Sequence, residues 1–311
     1  MTFVDIDYPE PVYAQAISAK SKLDEDKLGS ALHRLEEENP TFALQRDPQT
    51  GETLLVGTGE AHIDVLIERL GRFGSHVETH SPHVPFLETI TAKAKAEGKH
   101  KKQSGGRGQF GDCWIEIEPR ERGAGYEYVD KVVGGAIPRQ YIPAVDKGVQ
   151  EAMARGVLSG NPVVDVRVTV YDGKYHDVDS SEAAFKIAGS MAFQNAVMAA
   201  HPVLLEPVLE VTVTVPEQYM GDVIGDINSR RGRVLGMDRL PAEEHAPVMQ
   251  LVRANVPQYE MLRYAIDLRS LTHGRGSFHA TVSHYEEAPG TVGQKVIAEA
   301  RDRGFTGIVE H

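Results

Sequence analysis

The order in which strand-like and helix-like segments follow one another constrains the fold of this chain most, because one order occurs twice. Residues 12–79 read as strand, helix, two strands, helix and strand. Apolar residues alternate in the strands and recur every three or four positions in the helices, as at Leu28, Leu32 and Leu35. Residues 208–285 follow the same order with little sequence identity to the first copy. The split β-α-β topology has this order, so two related domains are predicted around a different middle.

Turn and helix-end signals set the bounds of these segments. In the first copy they predict strands at 12–18, 42–46, 53–56 and 76–79 and helices at 24–38 and 60–73. Asp24 and Glu25 suit the positive N-terminus of the first helix. In the second copy the signals predict strands at 208–215, 233–238, 248–255 and 277–285, a helix over 220–227 and one helix after Pro257. A short helix at 292–303 follows.

The middle segment does not repeat this order. Strands are predicted at 88–94, 113–118, 126–133 and 163–171, and helices at 138–155 and 180–200. Asp179 and Glu182 resemble the polar pair of a capping box at the start of the last helix. The predicted buried stripe of that helix is Ala184, Ile187, Ala188, Met191 and Met198. An α+β protein is expected, with domains at 1–81, 82–202 and 203–289 and a C-terminal helix and tail at 290–311.

Composition excludes several classes of protein. The 311 residues are 41% hydrophobic and 25% charged, which is ordinary for globular domains and gives no sign of disorder. Cys113 is the only cysteine, so the sequence has neither a disulfide framework nor a multi-cysteine metal site, and a reducing cytoplasm fits. The N-terminal residues do not resemble a signal peptide, and no run of about 18 apolar residues could span a membrane.

A concentrated positive segment opposes the overall charge. The formal net charge of −12 argues at first against a nucleic-acid partner, but salt screens it over about 8–10 Å, so local charge decides a contact. Residues 99–111 contain no carboxylate and four cations: Lys99, Lys101, Lys102 and Arg107. Their glycines let the backbone approach a partner closely, and Arg107 can bind phosphate through two hydrogen bonds. This pattern fits an RNA-contacting loop and equally a solvated, flexible hairpin.

A second polar loop is predicted at 171–179, before the last helix of the middle segment. Asp172-Gly173 is a turn signal, and His176 is expected at an exposed end of the domain. Asp177 and Asp179 suggest a metal site, but one histidine and two aspartates in a short loop are weak indications of one. Asp179 is better explained as a helix cap.

The enzyme motifs that we sought do not occur. The phosphate loop G-x-x-x-x-G-K-[S/T] is missing, so no cradle for GTP phosphates is predicted, and neither H-E-x-x-H nor G-x-S-x-G is found. His62 follows a glycine turn that opens a helix, and we interpret it as a packing or surface residue. Cys113 lies in an apolar strand beside Trp114, which favours a buried, inert thiol.

Several segments resemble bacterial elongation factor G. Residues 103–111, Gln-Ser-Gly-Gly-Arg-Gly-Gln-Phe-Gly, are similar to the first tip loop of domain IV in that family. Residues 175–182, Tyr-His-Asp-Val-Asp-Ser-Ser-Glu, are similar to its second tip loop. Further similarities extend the resemblance over nearly the whole chain, at residues 57–64, 142–148, 202–207, 221–226, 230–232 and 268–272.

The resemblance implies a fold, a role and partners. The two split β-α-β units correspond to the ferredoxin-like domains III and V, and the middle corresponds to domain IV, which is similar to ribosomal protein S5. In the family, domain IV is a rigid arm that enters the ribosomal A site as tRNA and mRNA advance. The implied partners are the 16S and 23S rRNA of the ribosome and the tRNA–mRNA duplex in the decoding region, bound by a cytoplasmic monomer.

The resemblance also implies contact residues. At the tip of domain IV these are Ser104, Gly105, Gly106, Arg107, Gly108, Gln109 and His176. The local positive charge adds Lys101 and Lys102 as candidate RNA contacts. In domain V, Arg230 and Arg231 are implied contacts of the large subunit. A pair of arginines at a helix end equally complements the helix dipole.

No metal or cofactor is expected in this chain. In the family, GTP and Mg²⁺ are bound by a GTPase domain that this chain is expected to lack, so the chain alone is not expected to be an enzyme. Phe110, Ala61 and Ile63 stand where the family commonly has Tyr, Leu and Leu, which fits a divergent paralogue.

Alternative functions of the same fold are a ribosomal protection factor, a ribosome-recycling factor and a generic RNA-binding protein. The tip-loop motifs favour the translocase over the ribosomal protection factor. The aromatic content of only 7% disfavours the generic RNA-recognition module, which needs stacking residues on its sheet.

Overall fold

The computed structural model describes residues 11–103, 108–241 and 247–307, and its first part is a split β-α-β domain. The elements are β1 (Tyr13–Ala19), α1 (Lys22–Glu38), β2 (Ala43–Arg46), β3 (Thr53–Gly57), α2 (Glu60–Arg72) and β4 (Val77–His80). The strands form one antiparallel sheet in the order β2-β3-β1-β4. Leu35 of α1 and Leu66 and Leu70 of α2 are fully buried in its core. The predicted ferredoxin-like topology is confirmed.

The start of α1 is tied to the chain that leads into β4. Ser21 caps the helix, since its hydroxyl accepts a hydrogen bond from the Asp24 amide at 3.2 Å. Asp24 lies in the first turn, as predicted, and its Oδ1 accepts from the backbone N–H of His76 at 2.8 Å. Hydrogen bonds from Ser21 and His76 lower the pKa of Asp24 to about 2.

The middle domain is a sheet with two helices packed together on it. Its elements are β5 (Leu87–Ile90), β6 (Ala94–Lys102), β7 (Gln109–Pro119), β8 (Glu127–Asp130), α3 (Ile142–Arg155), β9 (Val166–Lys174) and α4 (Glu182–Ala199). The sheet order is β6-β7-β9-β8, in which β8 and β9 run parallel and the other neighbours antiparallel. Helix α4 lies against β6 and β7, and α3 lies against α4.

The sequence-based prediction misses β6. Its residues are mostly charged, yet it pairs with β7 from Ala94 opposite Ile117 to Lys102 opposite Gln109. A Cβ at Gly98 would lie 2.0 Å from the carbonyl oxygen of Ala188 in α4. The helix therefore packs on the strand backbone itself, and the strand does not need the apolar alternation from which strands are predicted.

The predicted buried stripe of α4 is partly wrong. Ala184 and Ala188 are buried, but Met198 is exposed. Phe185 and Phe193, which the stripe omits, are fully buried. Because α4 contacts both the sheet and α3, its buried side is wider than the single stripe of a helix that lies on one surface.

The second split β-α-β domain follows. Its elements are β10 (Pro202–Pro216), α5 (Met220–Ser229), β11 (Arg233–Arg239), β12 (Met249–Pro257), α6 (Gln258–Met261), α7 (Tyr264–Leu271) and β13 (Ser277–Glu287). The sheet order is β11-β12-β10-β13, and β5 pairs with the beginning of β10. The one helix predicted after Pro257 is two short helices, because Arg263 (φ −114°, ψ 6°) departs from helical geometry.

The described residues divide into two compact units. One unit contains the residues up to Pro85 and Pro207–Tyr285, and the other contains Phe86–Glu206 and the residues from Glu286 onwards. The last helix, α8 (Gly290–Asp302), belongs to the second unit, where Val296 and Ala300 are buried. Over the described ranges, no helix combines the length and apolar character needed to cross a membrane.

Candidate nucleic-acid interface

The first predicted loop, residues 99–111, is largely a β-hairpin. Strand β6 continues to Lys102 and β7 begins at Gln109, so the exposed Lys101 and Lys102 lie on a strand. His100, which precedes them on the same strand, is 5% exposed, and its Nε2 lies 2.9 Å from Oε1 of Gln109. This hydrogen bond links the two strands close to the loop and fixes the direction of the Gln109 side chain.

Four residues of this loop lie outside the described residues: Ser104, Gly105, Gly106 and Arg107. Their assignment to an RNA contact stays a prediction. Gly108 is described, and a Cβ placed on it would lie 2.8 Å from the carboxylate carbon of Asp179. The chain at Gly108 therefore runs directly against the second loop, at a distance that leaves no room for a side chain.

The second predicted loop is shorter than expected, because β9 continues to Lys174. Asp172 and Gly173 do not form the predicted turn; they lie within β9, opposite Trp114 and Cys113. A Cβ at Gly173 would lie 2.4 Å from the carbonyl oxygen of Asp112. The glycine permits a close approach of two strands, so the Asp-Gly pair misleads as a turn signal.

The connection from β9 to α4 holds His176 in a defined turn. The His176 amide donates to Oγ of Ser180 at 2.9 Å, and the Ser180 amide donates to the carbonyl oxygen of His176 at 3.0 Å. Nδ1 of His176 accepts from the amides of Val178 (3.4 Å) and Asp179 (3.3 Å). A neutral ring must then carry its proton on Nε2, which is a hydrogen-bond donor. The side chain is 58% exposed and thus accessible to a partner.

The predicted cap of α4 is wrong by two residues. Ser181 is the N-cap, and its hydroxyl accepts a hydrogen bond from the Ala184 amide at 3.2 Å. Glu182 lies in the first turn of the helix. The backbone of Asp179 instead binds the first loop, since its carbonyl oxygen accepts a hydrogen bond from the amide of Phe110 at 2.9 Å.

Three contacts join the two loops at one end of the middle domain. Besides the bond from Phe110 to Asp179, the hydroxyl of Ser180 donates to the carbonyl oxygen of Phe110 at 3.0 Å. The ring centroids of Phe110 and His176 are 6.5 Å apart. We call this surface the tip and define it as residues 101–102, 108–110 and 174–180. Gln109 and His176 therefore belong to one surface.

Lys174 is a cation of the tip that sequence reasoning overlooked. It is exposed at the end of β9 and pairs opposite Asp112, whose partner on the other side is Lys99. Four exposed lysines therefore lie on the strands that reach the tip: Lys99, Lys101, Lys102 and Lys174. Assigning 171–179 to a loop concealed this arrangement, because only the strand register places Lys174 and Lys99 on either side of Asp112.

The two arginines predicted to face the large subunit are engaged within the second split β-α-β domain. Arg230 donates to Asp226 at 2.8 and 3.2 Å, to Asp267 at 2.8 Å and to the carbonyl oxygen of Glu260 at 2.8 Å, and its side chain is only 15% exposed. Nε of Arg231 donates to Glu260 at 2.9 Å. Arg230 caps the C-terminus of α5, so the helix-end interpretation has direct geometric support. Contact with rRNA stays a prediction for both.

His62 and Cys113, whose side chains could take part in catalysis, both lie in surroundings that favour a structural role. Nδ1 of His62 accepts a hydrogen bond from the Thr58 amide at 3.1 Å, and burial, helped by the nearby positive charge of Arg69, lowers the pKa of His62. Cys113 is fully buried, and burial raises the pKa of its thiol. The predicted burial of the thiol is confirmed, and it disfavours the thiolate, which is the reactive form of cysteine.

The fold and the tip together define a class of protein: an α+β chain in which one ferredoxin-like domain precedes and another follows, in sequence, a middle domain that ends in two joined polar loops. Family models of elongation factor G match three consecutive parts, namely domain III at residues 8–81, domain IV at 82–201 and the C-terminus at 203–296. The chain belongs to the elongation factor G family.

A solved structure is also similar over nearly all of this chain. The crystal structure of a protein from Thermus thermophilus matches with a TM-score of 0.80 and 42% sequence identity, over 96% of this chain and 44% of that one. The chain therefore spans less than half the length of this relative. The three matched family models are the parts of elongation factor G without GTPase activity.

Proposed function

We propose that this chain is the ribosome-binding portion of an elongation factor G. In this proposal the tip enters the decoding region and promotes the movement of tRNA and mRNA. The observation that supports it best is the junction of the two loops, in which Phe110 is hydrogen-bonded to both Asp179 and Ser180. This junction presents Gln109 and His176 on one surface beside exposed lysines.

The chemistry of the tip suits RNA that is recognised by shape and backbone. Lysine side chains bind phosphate as point charges, and the Nε2–H of His176 and the amide of Gln109 can donate to sugar or base oxygens. The described tip lacks the row of aromatic residues on a sheet with which RNA-recognition modules stack bases. The net charge of −12 disfavours unspecific RNA binding by the rest of the chain.

An arm also needs stiffness between its tip and its base. Close packing of α4 on the hairpin supplies it: a Cβ at Gly98 or Gly111 would lie 2.0 or 2.6 Å from carbonyl oxygens of α4. Elements packed at such short range leave no void to absorb a displacement. A force applied at the base of the middle domain is then transmitted to the tip.

Energy for directed movement comes from elsewhere in the complete protein under this proposal. The chain has no phosphate loop, so GTP and Mg²⁺ would be bound by the GTPase domain of a longer parent. The chain by itself then binds ribosomes without hydrolysing nucleotide and acts as a monomer in the cytoplasm.

Ribosome binding by the isolated chain tests the contact. We expect Lys101→Ala/Lys102→Ala to weaken binding in co-sedimentation and to reduce the slope of log affinity against log salt by about 1 for each phosphate that is no longer neutralised. The matched control is Lys20→Ala/Lys22→Ala, which removes the same charge from exposed positions in the first domain. Equally weakened binding in the two double variants would contradict the tip assignment.

Movement itself is tested in the full-length parent. Replacing His176 by Ala removes a donor at the tip, and we expect slower single-turnover tRNA–mRNA movement with unchanged GTP hydrolysis. An unchanged rate of movement would count against this role even if the chain binds ribosomes.

A further inference from the structure

Three potential metal ligands from two segments of the chain meet beside the first sheet. Glu52 directly precedes β3, His80 ends β4, and His83 lies three residues further on. The strand β1 lies between β3 and β4, and its register places Thr53 opposite Ile17 and His80 opposite the adjacent Ala16. The sheet therefore brings Glu52 and His80 to the same place, and the turn after β4 returns His83 to them.

The donor atoms of this cluster converge. Oε1 of Glu52 lies 2.5 Å from Nδ1 of His83 and 3.6 Å from Nε2 of His80. All three atoms lie within 4.8 Å of one another. The imidazole rings are tilted by 55° with centroids 5.3 Å apart, so they do not stack face to face.

Outer contacts orient each ligand. Nδ1 of His80 lies 3.0 Å from the carbonyl oxygen of Ser81, which can only accept, so Nδ1 carries a proton and Nε2 of the neutral ring turns a lone pair towards Glu52. Oε2 of Glu52 accepts from the His83 amide at 2.9 Å and from the Thr50 hydroxyl at 3.3 Å, which leaves Oε1 directed at the two rings. Metal-binding histidines and carboxylates are typically held by such contacts.

We propose that Glu52, His80 and His83 bind one zinc-class divalent cation. A lone pair of His80 facing a carboxylate oxygen is unfavourable without a positive charge between them, and a cation there satisfies all three donors. Two imidazole nitrogens and a carboxylate suit Zn²⁺, whereas Ca²⁺ and Mg²⁺ prefer oxygen ligands alone. The imidazole side chains are 44% and 43% exposed, so the ion can enter from solvent and keep water as a further ligand.

The bound ion would fasten the exit of the chain from the first domain. It links Glu52, at the end of the β2–β3 turn, to the segment after β4 that leads to Pro85. In the absence of metal that link consists of the hydrogen bonds between Glu52 and His83. Zinc is therefore expected to stabilise the first domain locally without altering the tip of the middle domain.

Calorimetric titration of the metal-stripped, tag-free chain with zinc chloride tests this site. We expect one saturable equivalent, and at least about tenfold weaker binding after His80→Gln or His83→Gln, as for other substitutions around a metal site. Two exposed histidines in the same domain that pair with Asp24 and Glu37 provide the controls His76→Gln and His33→Gln, which should bind zinc as the wild type does. Magnesium chloride should give no saturable binding.

Thermal unfolding provides a second measurement that does not depend on a loss of folding in the variants. Zinc should raise the Tm of the wild type and of the His76→Gln control. It should leave the Tm of Glu52→Gln unchanged, because the amide of glutamine is a poor zinc ligand although the side chain has the same size. Unsaturable zinc binding, or binding that His80→Gln and His83→Gln leave intact, would overturn the proposal.

Discussion

A buried glutamate holds the segment that follows α3 in the middle domain, and its replacement is expected to lower the stability of that domain. Glu88 in β5 has no exposed surface. Its Oε2 accepts from the amides of Val157 (2.7 Å) and Leu158 (2.8 Å). Its Oε1 accepts from the amide and hydroxyl of Ser159 (2.8 and 3.0 Å) and from the amide of Asn161 (3.2 Å). One carboxylate thus satisfies four backbone N–H groups of the segment that follows α3.

The cost of Glu88→Ala follows from these partners. The amides of Val157 and Ser159 are buried, and each buried donor left without an acceptor costs about 1–3 kcal/mol. We therefore expect a decrease of about 2–6 kcal/mol in the free energy of unfolding. Glu88→Gln retains one acceptor oxygen but turns an NH₂ group towards two amide donors, so its effect should be intermediate. Both variants keep the backbone bonds of Glu88 to Pro162 and Val164, which hold the segment in place.

Urea unfolding of the chain measures this decrease selectively. Trp114, the only tryptophan, lies in β7 in the same compact unit as Glu88, so its fluorescence reports unfolding of that unit. The control is Glu151→Ala, which removes a 55% exposed glutamate that pairs with Lys186, and its expected effect is about 0–1 kcal/mol. A Glu88→Ala variant that is no less stable than this control would refute the assigned role of the carboxylate.

Two further predictions concern packing and acid stability. Gly98→Ala should lower the free energy of unfolding by about 1–3 kcal/mol or more, because its Cβ meets the α4 backbone. Gly29→Ala on the open face of α1 should raise it by about 0.5–1 kcal/mol. Urea unfolding that ranks the two variants the other way would contradict the close contact at Gly98. The low pKa of Asp24 stabilises the fold above the unfolded pKa near 4, and this contribution is lost as the pH falls towards 2. The stability difference between wild type and Asp24→Asn should therefore shrink over that range, and a difference that is constant with pH would rule out the ionised carboxylate as its source.

Apolar periodicity predicted most of the fold because both split β-α-β domains bury one face of each element. In α2 the spacing of Ile63, Leu66 and Leu70 matches the residues found fully buried. In β10 the alternation of Val211, Val213 and Val215 does the same. Such patterns arise wherever one side of an element faces a core and the other faces water. The bounds of these elements agree with the structure to within a few residues, except that β10 (Pro202–Pro216) begins six residues before the strand predicted at 208–215.

Tertiary contacts decide what the sequence patterns missed. Met261 and Leu268 continue an apolar spacing across Leu262 and Arg263, but the backbone turns at Arg263, and this turn leaves no mark in the pattern. The cap of α4 is a similar case, since Asp179 and Ser181 both suit an N-cap. Asp179 instead contacts Phe110, which is distant in sequence, and Ser181 is the N-cap. No local sequence pattern contains this contact.

The candidate site departs from the patterns for a reason tied to its proposed role. Motif resemblance found both loops, but it could not reveal that Ser180 bonds Phe110, 70 residues away, or that Lys174 lies in a strand. A strand that must present cations outward and still pack tightly on a helix replaces apolar side chains with glycine on its inner face, as Gly98 and Gly111 do. The alternation then disappears where the surface is specialised for a charged partner. In this domain the strand with the weakest apolar alternation, β6, is therefore also a strand that reaches the tip.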